Sequence, residues 1–139
     1  MFATESEKIQ FGCVFAAFLL WVITLFPLYH SRSRSDGNYN HNTPRATPAG
    51  VVADRDHRAA GAHLNQFEAF TLFTLAVYFN RFGAGSHRGA NILCIIFVAA
   101  RAFYIIAYLW GKGAVRTFFW TIGFLATFVL FILPFATNY

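Results

Sequence analysis

The sequence predicts an all-α integral membrane protein, a single four-transmembrane-helix antiparallel bundle over residues 1–139 with almost nothing folded outside the lipid. Three observations carry this expectation. Of 139 residues, 57% are hydrophobic and only 12% are charged, a balance too apolar and too poor in charge for a water-soluble domain of this size. The charged residues avoid four long stretches. Each stretch is close to the roughly 20 residues that a helix rising about 1.5 Å per residue needs to cross about 30 Å of hydrocarbon, whereas barrel strands run about 9 to 11 residues and alternate in polarity.

The first stretch runs from about Phe11 to Tyr29 and is read as a retained helix. Glu5 and Glu7 precede it, no small-residue cleavage site follows, and His30, Arg32 and Arg34 come directly after it, which is not the pattern of a secretory signal. Gly12, Ala16 and Ala17 allow a neighbouring helix to approach closely. Residues 31–57 are rich in Ser, Asn, Gly and Pro, and Pro44 and Pro48 interrupt any regular element, so this segment is expected to be a loop. Asp54 or Asp56 caps the helix that follows, which therefore starts before its apolar part, about Leu64 to Phe82. Asn80, Gly83, Gly85 and Ser86 make a turn into the third stretch, about Ala90 to Trp110. Gly111 and Gly113 make another into the fourth, about Phe118 to Phe135, where Thr121 and Thr127 are expected to bond their own helix carbonyls. Such short turns force the second to fourth helices to be antiparallel neighbours.

Four crossings put both termini on one side. The 31–57 segment with Arg58, together with the turn before the fourth helix, carries Arg32, Arg34, Arg45, Arg55, Arg58, Lys112 and Arg116; the other side has Lys8, Arg81 and Arg88. Seven against three places both termini outside the cytoplasm and the 31–57 loop inside it. The net charge of +5 is thus spread over short membrane loops and offers no contiguous surface to a nucleic acid backbone. Cys13 and Cys94 fall within spans and read as packing residues, and the histidines do not repeat at metal-ligand spacing. No repeated polar stripe or inverted halves favour a pore or transporter.

The informative residues are the polar ones that a membrane should exclude. At about 100° per residue, Arg58 and Asn65 lie about 20° apart on the second helix and Glu68 about 60° further round, so one side of an otherwise apolar helix is polar. On the third helix Arg101 sits mid-span, with Tyr104 and Tyr108 following at i+3 and i+7. An arginine facing lipid at that depth costs about 2.5–3.5 kcal/mol on insertion scales, so Arg101 must face the bundle interior, a subunit contact or a wet cavity. Glu68 is the expected partner, because both residues lie about 15 Å in from the cytoplasmic end. Asn65 suits either a ligand contact or interhelical glue, Tyr104 either core or site, and Tyr108 either site or interface aromatic. His63 points about 160° away from Asn65 and reads as a packing or interface residue. Arg116, with Thr117 beside it and Trp120 a turn deeper, begins the fourth helix; it suits either topology or the holding of a carboxylate or thiolate near a helix N-terminus. Arg58, Asn65, Glu68, Arg101, Tyr104, Tyr108 and Arg116 all converge on the cytoplasmic half, where a polar ligand enters from water.

At these residues the chain resembles the membrane-associated proteins in eicosanoid and glutathione metabolism, the MAPEG family, which includes microsomal glutathione transferases and prostaglandin E synthase. Arg58 followed by AHLNQFE is similar to the family pattern at the start of the second helix, RAFYIIAYL from Arg101 to its third helix, and VRT ending at Thr117 to the start of its fourth. The resemblance implies a homotrimer with glutathione as co-substrate, bound between subunits near the cytoplasmic face by Arg58, Asn65, Glu68, Arg101, Tyr104, Tyr108 and Thr117. It also implies that Arg116 activates the thiol against a lipophilic small molecule arriving through the membrane lipids. The chain departs from the synthases at Gly61 and Leu64, where they carry basic residues, and at Trp120, where they carry an aromatic hydroxyl. Two classes follow: a glutathione-dependent transferase or peroxidase, supported by Arg116, Asn65 and Glu68, or a noncatalytic or differently specialised lipophilic-ligand-binding protein of the same fold, supported by Gly61 and Leu64.

Overall fold

The computed structural model describes residues 4–33 and 54–137, which form five helices. The first apolar stretch becomes α1 (Glu5–Ile23) and α2 (Leu25–Ser33), the second α3 (Asp54–Phe82), the third α4 (His87–Leu109) and the fourth α5 (Gly113–Thr137). Most of the expected loop, residues 34–53, lies outside the described residues.

Polar turns extend the helices beyond their apolar stretches. At the start of α1 the Glu7 N–H donates to Thr4 Oγ1 at 3.3 Å and the Thr4 N–H to Glu7 Oε2 at 3.1 Å, so two backbone donors are satisfied reciprocally. Asp54 and Asp56 bring negative charge to the positive end of α3, which begins well before Leu64.

The expectation of one unbroken first helix is corrected at Thr24. Pro27 has no N–H for the Ile23 carbonyl, and its ring crowds that carbonyl, so the helix breaks one turn earlier. Thr24 closes the break: its N–H donates to Leu20 O at 3.3 Å and Trp21 O at 3.1 Å, and its hydroxyl donates to Trp21 O at 2.6 Å. With its proton so used, the hydroxyl accepts from His63 Nδ1–H at 2.8 Å, which pins the kink to α3.

At the end of α4, Gly111 takes φ +71°, the Gly111 N–H donates to Tyr108 O at 3.1 Å and the Lys112 N–H to Ala107 O at 2.9 Å. This left-handed stop satisfies the last carbonyls and returns the chain as α5 along α4. Within α5 the Thr121 and Thr127 hydroxyls donate to Thr117 O and Gly123 O, four residues back.

Helices α3 and α4 form the centre; α1 packs on both of them and, among the described residues, its backbone does not come close to α5. The core joins Ala17, Phe73, Ala76, Val77, Ala90, Cys94, Phe97, Ala126 and Leu130, with the Phe73 and Phe97 rings stacked at 3.9 Å and 6°. Lipid tails are as apolar as this core, so close packing rather than release of water holds it, and its alanines permit that approach. Phe15, Phe82, Phe118 and Phe135 are each more than half exposed, while Glu7, Gln10, Gln66, Asn80 and Arg101 are buried. That inversion of the soluble pattern fits a lipid solvent, in which interior polar groups must find partners inside the protein. At the end of the bundle where α1 begins, Glu7 pairs with Arg81 of α3. The Gln10 and Asn91 amides meet there at 2.9 Å, and Asn91 reaches Ser6 Oγ at 3.1 Å, tying α1 to α4.

Among the described residues three spans are long and apolar enough to cross a membrane: Glu5–Ser31 through the kink, His87–Leu109 and Gly113–Ala136. The protein is an all-α, multi-pass membrane protein. α3 has the length, 29 residues, but Asn65, Gln66, Glu68 and its charged first turns lower its hydropathy.

Candidate functional site

The start of α3, the end of α4 and the start of α5 come level at one end of the bundle and enclose a groove of about 410 Å³. α3 contributes Gly61, Leu64, Asn65 and Glu68 to its wall, α4 Tyr104 and Tyr108, and α5 Arg116, Thr117 and Trp120. The structure therefore brings together Asn65, Glu68, Tyr104, Tyr108, Arg116 and Thr117, six of the residues singled out in the sequence, although no two of the helices carrying them share a sequence motif. Its volume is within the range of about 300–1,000 Å³ usual for small-molecule pockets.

Arg101 and Arg58 do not line this groove. Arg101 is buried behind it at 1% exposure. Its Nε donates to Gln66 Oε1 at 2.8 Å, and one terminal nitrogen donates to Asn65 Oδ1 at 2.9 Å and to the Asn65 carbonyl at 3.3 Å. Its guanidinium lies over the Tyr104 ring, 3.9 Å from the centroid, and its stem packs on Gly123 of α5. The expected Glu68–Arg101 pair does not form: Glu68 is exposed and makes no ion pair among the described residues. Helix geometry explains the exchange, since Gln66 lies about 160° from Glu68 and so points inward when Glu68 points out. A neutral amide also satisfies a buried guanidinium without the cost of desolvating a second charge. Gln66, fully buried and extending its own amide toward the Ala17 carbonyl of α1 at 3.5 Å, is the residue that the sequence analysis passed over. Its signal was available: a glutamine in an apolar stretch, on the side opposite the polar face.

Arg58 sits at the foot of α3, facing the turn between α4 and α5. A Cβ on Gly111 would lie 3.6 Å from the Arg58 Cζ, and the Arg58 Nε is buried without a hydrogen-bond partner among the described residues.

Arg116 is half-buried in the first turns of α5, its Cζ 4.8 Å from the Tyr108 ring centroid. Position and charge both add to the positive end of the helix, which suits the groove to an anion. Thr117 turns its hydroxyl back to Gly113 O at 3.1 Å, leaving the oxygen lone pairs as its further polar capacity. Trp120 forms the apolar side of the groove; it stacks on Phe124 at 5.3 Å and 6°, and Phe124 on Phe128 at 6.3 Å. One wall thus offers charge and hydroxyl groups and the other an aromatic surface continuing along α5. Such a groove can hold a molecule with a polar head beside a lipophilic one. His63 lies apart, its ring stacked on Trp21 at 5.5 Å and bonded to Thr24.

No curated protein and no solved structure gives a significant match to the chain. The model of the MAPEG family does, over residues 11–136. That match runs from the first helix through the last and takes in every residue of the groove, so the chain belongs to the MAPEG family, whose membership suggests the handling of lipophilic ligands.

Proposed function

We propose that the protein is a glutathione-dependent transferase or peroxidase acting on lipophilic electrophiles at the membrane. The observation that carries the proposal is Arg116: a half-buried cation at a helix start, in the wall of a groove, that forms no ion pair among the described residues. Its role is to stabilise the negative charge of a bound thiol sulfur, lowering the energy of the thiolate relative to the thiol. Asn65, Tyr104, Tyr108 and Thr117 orient the peptide, Glu68 receives its ammonium group, and Leu64 and Trp120 give the electrophile an apolar surface reached from the lipid. In a transfer, the sulfur lone pair forms the new carbon–sulfur bond as the leaving group departs with its electron pair, and the thiol proton passes to water at the groove mouth. Arg101 and Arg58 support the site from behind, through Asn65 and through the Gly111 turn.

The proposal includes α3 as a fourth crossing, since about 29 residues of helix exceed the hydrocarbon thickness, and it places the groove mouth on the cytoplasmic side by the positive-charge count. It also includes a homotrimer, in which a neighbouring subunit covers the exposed polar side of α3 around Glu68. Mass measurement that subtracts detergent should give three chains; a stable monomer with native helicity and ligand binding would exclude the trimer.

The test of function is glutathione binding by the detergent-purified protein, followed by the ultraviolet thiolate signal and by conjugation of a generic aromatic electrophile. Saturable binding with a thiolate signal at neutral pH is expected. Absence of saturable binding by the wild type discards the enzyme and favours the noncatalytic lipophilic-ligand-binding alternative, for which Leu64 and the uncharged position at Gly61 speak.

A further inference from the structure

Arg116 is held by a ring. Its guanidinium stands 4.8 Å from the Tyr108 centroid and makes no ion pair among the described residues, although Glu68 lines the same groove. The Tyr108 ring is in turn fixed on two sides. Tyr104 meets it edge-on, at 5.5 Å and 68°, and is itself capped by the buried Arg101. On the α3 side, the Tyr108 hydroxyl fills the space that a Cβ at position 61 would need, so Gly61 is a notch that receives it.

We propose that Tyr108, seated in the Gly61 notch, is the positioning residue for Arg116. A guanidinium has an apolar face and a rim of N–H donors, and a carboxylate partner would consume the rim. An aromatic shelf takes the face instead: it fixes the plane of the group, adds a favourable cation–π term, and leaves both the charge and the donors for an anion in the groove. The series Arg101, Tyr104, Tyr108 and Arg116 thereby transmits the rigidity of the buried arginine to the half-buried one at the groove. This inference rests on the function proposed for the groove, and it adds that Gly61 is required for its shape.

The experiment follows the thiolate absorbance of bound glutathione against pH. Tyr108→Leu, which removes the shelf, should raise the apparent pKa of the bound thiol by about one unit, a tenfold loss of thiolate per thiol. Tyr108→Phe keeps the ring and should recover most of that shift. Gly61→Ala, which drives the hydroxyl out of its notch, should shift the pKa in the same direction as Tyr108→Leu and keeps the test open if the leucine variant fails to fold. In an Arg116→Ala background, Tyr108→Leu should add nothing. A phenylalanine variant as impaired as the leucine one, or a full Tyr108→Leu shift without Arg116, overturns the proposal. If the wild type does not bind glutathione, the proposed function falls, and the positioning role is judged with octanesulfonate by calorimetry. A tenfold weaker affinity in Tyr108→Leu, restored by phenylalanine, supports it; unchanged affinity, or no binding of this anion to the wild type, overturns it.

Discussion

Replacing Arg116 with alanine is expected to lower conjugation of a generic electrophile about 100-fold, a loss of roughly 3 kcal/mol of transition-state stabilisation. Glutathione affinity should fall by much less. The difference arises because the charge on sulfur is greatest after the thiol proton has left, so the interaction with the guanidinium is stronger along the reaction path than with the neutral thiol. Arg116→Lys separates this role from topology. A lysine keeps the charge that orients the helix in the membrane, but it lacks the planar group that stands 4.8 Å from the Tyr108 centroid and the fork of donors that would meet the proposed anion. Turnover measured beside binding decides the matter. If the lysine and alanine variants conjugate as fast as the wild type, Arg116 is a topological charge and the thiol is activated elsewhere.

The second large effect is on stability. Gln66→Leu should cost about 2–4 kcal/mol, because it removes the acceptor at 2.8 Å from the Arg101 Nε and leaves a charged donor unpartnered in the interior. Asn65 and the Tyr104 ring remain and limit the loss. Replacing Arg101 by Met in the same chain removes the stranded charge and should recover much of the loss, as apolar substitutes for buried polar clusters often do. Glu68→Gln should change stability by less than about 0.5 kcal/mol, the usual range for an exposed position. A denaturant titration in detergent of the wild type, these three variants and Arg101→Met alone gives the cycle. Equal losses for Gln66→Leu and Glu68→Gln would mean that the buried arginine is not held by Gln66.

The groove was largely legible in the sequence because helix phase and depth are simple arithmetic. Asn65, Glu68, Tyr104, Tyr108, Arg116 and Thr117 all fall toward the end of the bundle at which α4 passes into α5, and the structure gathers them around one groove. What escaped was pairing. Charge and depth alone point to Glu68 as the counter-charge of Arg101, whereas the angle around the helix gives the bond to Gln66. The notch at Gly61 was invisible for a related reason: as sequence it reads as the absence of a side chain, and only the approach of Tyr108 makes the absence a fit. The break at Thr24 was signalled by Pro27 but concealed by an apolar stretch long enough to be one span.

The polar ties among Glu7, Arg81, Gln10, Asn91 and Ser6 all lie at the end of the bundle remote from the groove. At the other end α2, beyond the kink, touches α1 and α3 but neither α4 nor α5. The groove is walled by α3, α4 and α5, and α2 stands off the last two of these among the described residues. For the proposed function this leaves the lipid flank of the groove clear of α2, while the Arg101–Gln66 bond and the seat of Tyr108 against Gly61 keep α3 and α4 in register beside it.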